Sequence, residues 1–212
     1  MRSADATTLI RTLMVFLVVG MLLAKINPWI TIFVILLMYI LDGLDGYLAI
    51  REASNGSVTL VEYLKAAASG DEKAKSKMAR FKQVAKKGAK FGPRLDIAGD
   101  RVIEYTFWIT FTYLRLIPLF VIFIIVLRHS FVDALMGARG TSSKPRTRFA
   151  KIIYSSNISR GGINIVKFLA FAYFVLIYVS NYPLWVGYVL IAILVTYIVA
   201  RGLAEAYDSL AR

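Results

Sequence analysis

Cysteine is absent from the 212 residues and histidine occurs once, at position 129. The first absence excludes disulfides and thiolate metal sites, and a lone His129 cannot build a histidine-rich zinc centre. Acidic side chains are also scarce, 13 against 26 Lys and Arg, for a formal net charge of +13. Proline is limited to five residues, of which Pro28, Pro118 and Pro183 stand between long apolar runs, where a proline favours a turn and a fresh helix start. What the chain has in excess is apolar surface: 58% of residues are hydrophobic and the mean hydropathy is +0.63. Ordinary soluble domains are roughly half apolar, so a polytopic membrane protein is expected.

Crossing about 30 Å of hydrocarbon takes roughly 20 residues of helix. Six runs approach that length: Thr8 to Ala24, Trp29 to Ile50, Leu95 to Leu114, Pro118 to Leu135, Ile163 to Val179 and Pro183 to Leu203. The first is interrupted early by Arg11; it lacks a small-residue cleavage pattern and is expected to be retained. The predicted fold is therefore all-α, with six transmembrane helices forming one membrane domain over residues 1–212. Charge sets its orientation. Eleven Lys and Arg lie from Arg51 to Arg94 and seven from Arg128 to Arg160, whereas the opposite turns hold only Lys25 and Arg115. By the positive-inside rule both termini and both basic loops are cytoplasmic. The positive charge is then a face for anionic lipid headgroups rather than a nucleic-acid site.

Residues 52–90 form a polar, basic insert between the second and third spans. Thr59 to Ala68 predicts a short helix stopped by Ser69-Gly70, and Asp71 a cap for a second, with Glu72 in its first turn. Met78, Phe81 and Val84 share one side of this second helix among seven Lys and Arg from Lys73 to Lys87. The insert reads either as a solvated helical hairpin or as an amphipathic helix lying on anionic lipid.

Two stretches carry chemistry: Asp42-Gly-Leu-Asp45-Gly46-Tyr-Leu-Ala49 and Gly92-Pro-Arg-Leu-Asp96-Ile-Ala-Gly-Asp100. At about 100° per residue, Asp42, Asp45, Gly46 and Ala49 share one arc of a helix, and Gly92, Asp96 and Asp100 form a similar stripe. Each pair of carboxylates thus has a small residue beside it that leaves room for close approach. An ionised Asp at the centre of a transmembrane helix costs about 2.5 to 3.5 kcal/mol, less near the interface, so four of them need compensation, unless all four simply end helices among headgroups. Histidine is missing and the lysines lie in loops. A hard divalent cation with oxygen ligands, Mg²⁺ or Mn²⁺, is the simplest partner, and two such ions would balance four carboxylates.

DxxDGxxA from Asp42 followed by GxxxDxxxD from Gly92 resembles the signature of the CDP-alcohol phosphatidyltransferases, integral membrane enzymes with six transmembrane helices. The resemblance covers both motifs, the Asp100-Arg101-Val102 continuation and the six-helix layout. It departs at position 50, where Ile stands in place of the family's arginine and Arg51 follows. It departs also in the some forty residues between the halves, an extension that costs only roughly 1 to 2 kcal/mol of closure entropy. The resemblance implies that an acceptor hydroxyl attacks the β-phosphate of a CDP-linked lipid, CDP-diacylglycerol or CDP-archaeol, releasing CMP. It implies that Asp42, Asp45, Asp96 and Asp100 hold the metals, that Asp100 also takes the acceptor's proton, and that Gly46, Ala49, Gly92 and Arg51 line the CDP pocket. It further implies a homodimer.

Outside the motifs, Arg146, Arg148 and Lys151 are candidates for binding a phosphate on the acceptor, such as glycerol phosphate or inositol phosphate, or else serve only as positive-inside charge. Glu104 is read as a buried structural group or a partner to the aspartates, His129 as an interfacial residue, and Trp29, Trp108 and Trp185 as packing or interfacial aromatics. Two other functions compete with the transferase. One is a divalent-cation transporter, since carboxylates at membrane depth also mark ion pathways. The other is a catalytically silent scaffold acting through the basic insert.

Overall fold

The computed structural model describes residues 3–68, 72–88, 92–139 and 157–210. All its elements are helices: α1 (Ser3–Leu23), α2 (Pro28–Ala53), α3 (Leu60–Ala68), α4 (Glu72–Gly88), α5 (Gly92–Tyr113), α6 (Leu119–Arg139), α7 (Asn157–Ser180) and α8 (Leu184–Leu210). Each of the six apolar runs falls in one of these, four of them passing the helix end at the turn by one residue. Each helix outlasts its run at the end away from its tight turn, because the polar residues there still complete the backbone ladder. Pro28 opens α2 at its first position, where its missing N–H costs nothing. At the end of α7, Asn181 adopts φ 55° and donates its N–H to the Ile177 carbonyl at 3.0 Å. This bond from a residue in the left-handed region is an αL stop ahead of Pro183.

Among the described residues, four segments are long and apolar enough to cross a membrane: α1, α2, residues Gly162–Ser180 of α7, and α8. Six spans were expected. Helix α5 is 22 residues long but carries Asp96, Asp100, Arg101 and Glu104, which set it apart by composition.

The chain divides into two compact units, residues 1–24 with 29–107 and residues 25–28 with 108–212. In the first, α1 buries Ala4, Thr8, Arg11, Val15, Val18 and Leu22. The alternating steps of four and three place these residues on one stripe, the spacing of helices packed side by side. On α2, Thr31, Ile35 and Met38 are buried at the same steps, and Asp42 and Asp45 continue the series. At the other end of the hairpin the Ser3 N–H and hydroxyl both donate to Glu52 Oε1, the former at 2.9 Å. A free donor of the first turn of α1 is thereby satisfied from the last turn of α2.

The insert folds as the expected pair of helices, α3 packing on α4. Thr59 and Glu62 make a reciprocal capping box: the Thr59 N–H donates to Glu62 Oε2 at 2.9 Å and the Glu62 N–H to Thr59 Oγ1 at 3.3 Å. The bond from the Thr59 N–H holds the Glu62 carboxyl below its ordinary range. The cap is therefore intact at neutral pH and weakens as pH falls through that lowered value. Asp71, the expected cap of α4, lies outside the described residues.

In the second unit α8 packs against both α6 and α7. Trp108 and Phe111 are buried with Phe171 and Phe174, the Trp108 and Phe171 rings meeting edge to face at 5.5 Å. Trp29 and Trp185 are exposed, and His129 is buried within the protein. Arg128 pairs with Glu205 at 2.6 Å, which Arg201 also meets at 2.9 Å; Gly202 gives the Arg128 side chain room to lie against α8.

A Cβ on Gly187 would stand 2.7 Å from Ile177 Cδ1 and 3.1 Å from Phe174, whereas one on Gly20 would meet nothing within 4 Å. Thermal unfolding in detergent should therefore show Gly187→Val destabilised by about 1 to 3 kcal/mol through overpacking and Gly20→Ala unchanged or slightly stabilised.

Candidate functional site

Helix α2 brings Asp42 and Asp45 to the buried stripe by its spacing, and α5 presents Asp96 and Asp100 one turn apart. The two motif halves, separated by the whole insert, meet in one cluster within the first unit. Carboxylate oxygens of Asp42, Asp96 and Asp100 lie within 4.8 Å of one another. Asp45 is the most enclosed of the four, with 12% of its side chain exposed, and accepts a hydrogen bond from Thr8 Oγ1 at 3.2 Å. Asp96 and Asp100 are about half exposed, 50% and 48%. The cluster is thus closed towards α1 and open towards solvent along α5.

The residue that joins the four is Arg11. Its side chain is only 4% exposed; Nη1 bonds to Asp42 and lies 2.9 Å from Asp100, while Nη2 lies 3.2 Å from Asp96 and 3.8 Å from Asp45. The guanidinium fork suits this geometry because it presents several donors in one plane. Sequence reading treated Arg11 only as an interruption of the first apolar run and looked for compensation among lysines and histidine. The missed signal is the stripe: Arg11 falls in register with Thr8, Val15, Val18 and Leu22, so it had to face the interior, where a charge requires a partner.

Helix α5 comes close to α1 because of Gly99. A Cβ at that position would stand 2.7 Å from Thr12 Oγ1 and 3.1 Å from Thr8 Cγ2. Thr12 is held in turn by its bond to the Thr8 carbonyl at 2.8 Å. Gly99, inside the second motif but not one of its signature positions, thereby brings α5 up to Thr8 and Thr12 on the Arg11 face of α1. One turn beyond Asp100, Glu104 is buried and lies 3.6 Å from Arg101.

The other sequence candidates are placed differently. Gly46 lies on α2 directly after Asp45, with the Tyr63 hydroxyl 3.1 Å from where its Cβ would be. Ala49 is half-buried one turn on, and Gly92 opens α5. Ile50, at the position where an arginine was absent, is buried. Arg51 is exposed and lines a cavity of about 340 Å³ with Ser3, Leu48, Glu52, Asn55 and Gly56, at the far end of α2. Arg146, Arg148 and Lys151 lie outside the described residues.

Chemically, four carboxylates oppose one guanidinium, a formal charge of 1 − 4 = −3 if all are ionised. Like charges this close resist joint ionisation, so Arg11 alone does not balance the site. Oxygen-only donors of this kind fit hard divalent cations, and the convergence of three carboxylates from two helices meets that requirement.

Removing the positive charge leaves the aspartates facing each other. Arg11→Gln should lower stability by about 2 kcal/mol, below the 3 to 5 typical of a fully buried pair because Asp96 and Asp100 are wetted; added Mn²⁺ should recover part of the loss of melting temperature measured in chelator. Gly99→Val should separate α5 from α1 and weaken Mn²⁺ binding, measured by electron paramagnetic resonance of the free ion.

Comparison with protein families matches residues 1–56 to the CDP-alcohol phosphatidyltransferase family. The match spans about a quarter of the chain, includes Arg11 and the first motif, and supports the family resemblance of the paired motifs. Comparison with curated proteins and with solved structures returns no match. The apolar helices and this match together point to an integral membrane protein.

Proposed function

With the first motif and Arg11 inside the matched family segment, we propose that the chain is a metal-dependent CDP-alcohol phosphatidyltransferase. It moves the phosphatidyl-type group of a CDP-linked lipid, CDP-diacylglycerol or CDP-archaeol, onto a small polar acceptor. The observation that carries this reading is the convergence of Asp42, Asp96 and Asp100 within 4.8 Å, which unites two motifs otherwise far apart in sequence. In the proposed topology all six long helices span, both termini and the aspartates face the cytoplasm, the whole chain works as one membrane domain around the basic 52–90 insert, and two copies associate.

Asp42, Asp45, Asp96 and Asp100 would hold Mg²⁺ or Mn²⁺, two ions matching the carboxylate charge. When bound, these ions neutralise the diphosphate and stabilise charge on the transferring phosphoryl group. The residues of the chain do the rest. Gly46, Ala49 and Gly92 let the donor lie close to the backbone, and Arg51 offers a cation to its phosphates. Asp100, exposed on the open side of the cluster, accepts the proton of the acceptor hydroxyl. The hydroxyl oxygen forms its bond to the β-phosphorus as the bond to CMP breaks, so a phosphodiester and CMP are the products. Phosphoryl transfer of this type depends chiefly on positioning and charge neutralisation, with one group receiving a proton. Arg146, Arg148 and Lys151 would bind a phosphate on the acceptor, as in glycerol phosphate or inositol phosphate. The divalent-cation transporter gains nothing from the family match.

The test is release of CMP from radiolabelled CDP-lipid by the purified full-length protein, with glycerol phosphate, inositol phosphate, serine and inositol as acceptors. Activity should need Mg²⁺ or Mn²⁺ and vanish in chelator, and Asp100→Asn should lower the rate by about 10² to 10⁴. Undiminished CMP release by that variant would remove Asp100 as base. Turnover with uncharged acceptors alone would refute the phosphate role of Arg146, Arg148 and Lys151.

A further inference from the structure

The described residues of the insert between the two motifs are mostly exposed, yet the large side chain of Tyr63 turns towards α2. On α3, Val61 and Leu64 face outward at 61% and 55% exposure, while Tyr63 between them is half-buried. Its ring lies 5.8 Å from that of Tyr47 on α2, tilted by 50°. Its hydroxyl reaches α2 at Gly46, 3.1 Å from where a Cβ would sit. A Cβ there would press on this hydroxyl by a few tenths of an ångström, and the residue before it is Asp45.

Two features hold Tyr63 in place. The Thr59–Glu62 capping box fixes the start of α3 one turn before it, and α4 packs against α3. The hydroxyl stays protonated. A phenol keeps its proton at neutral pH, so it serves as an O–H donor beside a cluster of acceptors.

We propose that Tyr63 is a donor-binding residue: it walls the space over Gly46 and donates its phenol O–H to the nucleoside diphosphate portion of the CDP-linked lipid. The basic insert thus completes, from outside the two motifs, the pocket that α2 and α5 leave open. This rests on the transferase reading above, which supplies the donor. The step is non-covalent, and Tyr63 neither gains nor loses a proton during turnover. A residue of this kind acts on donor affinity and leaves the acceptor and the proton transfer alone.

The experiment compares full-length wild type, Tyr63→Phe, Tyr63→Ala and, as a control on the exposed face of α3, Val61→Ser. Equilibrium binding of CMP and steady-state kinetics with CDP-lipid are measured at saturating Mn²⁺. Loss of one neutral hydrogen bond should weaken CMP binding and raise KM for the CDP-lipid about three- to tenfold in Tyr63→Phe. In that variant kcat, the KM for the acceptor and the melting temperature should be close to wild type. Tyr63→Ala should lose more, and Val61→Ser nothing. Unchanged CMP affinity in both Tyr63 variants overturns the proposal, as does tighter binding by Tyr63→Ala, which would make the tyrosine a plug. A wild-type protein that binds no CMP and turns over no CDP-lipid overturns the transferase reading itself, a separate outcome.

Discussion

The first unit depends on how one buried cation is shared among four acids. Without Arg11, α2 and α5 would each present paired carboxylates to the other, and the like charges would oppose the approach that Gly99 permits sterically. With it, the guanidinium offers a donor to each helix and turns repulsion into a reason for the helices to meet. The sharing is incomplete by design of charge: one against four leaves an excess negative potential on the solvent side, where Asp96 and Asp100 are half exposed. Arg11 therefore holds the cluster together while leaving its negative charge in excess.

The architecture follows from a few repeated spacings. Steps of four and three on α1 and α2 bring Thr8, Arg11, Asp42 and Asp45 into the same buried register as Val15, Val18, Ile35 and Met38. Polar residues thus occupy positions that the pattern otherwise reserves for apolar ones, and they find one another there. In the second unit the same logic recurs with Arg128, Arg201 and Glu205 between helices that glycines bring close. Buried ion pairs are weak sources of net stability but strong penalties when broken, which suits the fixing of helix register.

Much of this was legible in the sequence because hydropathy and turn chemistry are local. The six helices, the breaks at Pro28, Pro118 and Pro183, and the helical pair in the insert all follow from composition over a few residues. The carboxylate stripes on α2 and α5 were legible for the same reason, since helical period alone aligns Asp42 with Asp45 and Asp96 with Asp100. Arg11 was not, because its significance lies in residues 31 to 89 positions away and its local context looks like a flaw in a span. Gly99 and Tyr63 were missed likewise. A glycine is read as permissive until the neighbouring helix is seen against it, and a tyrosine in a basic insert carries no periodic mark. Helix α5 was harder to read than the others, since it joins an apolar second half to a charged first half that hydropathy averages away.

The order of these groups along the chain has a consequence for how the molecule is made. Arg11 precedes every one of its four partners, so during synthesis the cation arrives before any of its counter-charges. Alone, a guanidinium in an apolar helix is poorly accommodated in hydrocarbon. The hairpin that follows delivers Asp42 and Asp45 to it within some thirty residues, and Asp96 and Asp100 come only after the insert has been translated. The insertion of α1 is thus left provisional until α2 returns, and the site is assembled from its positive centre outward.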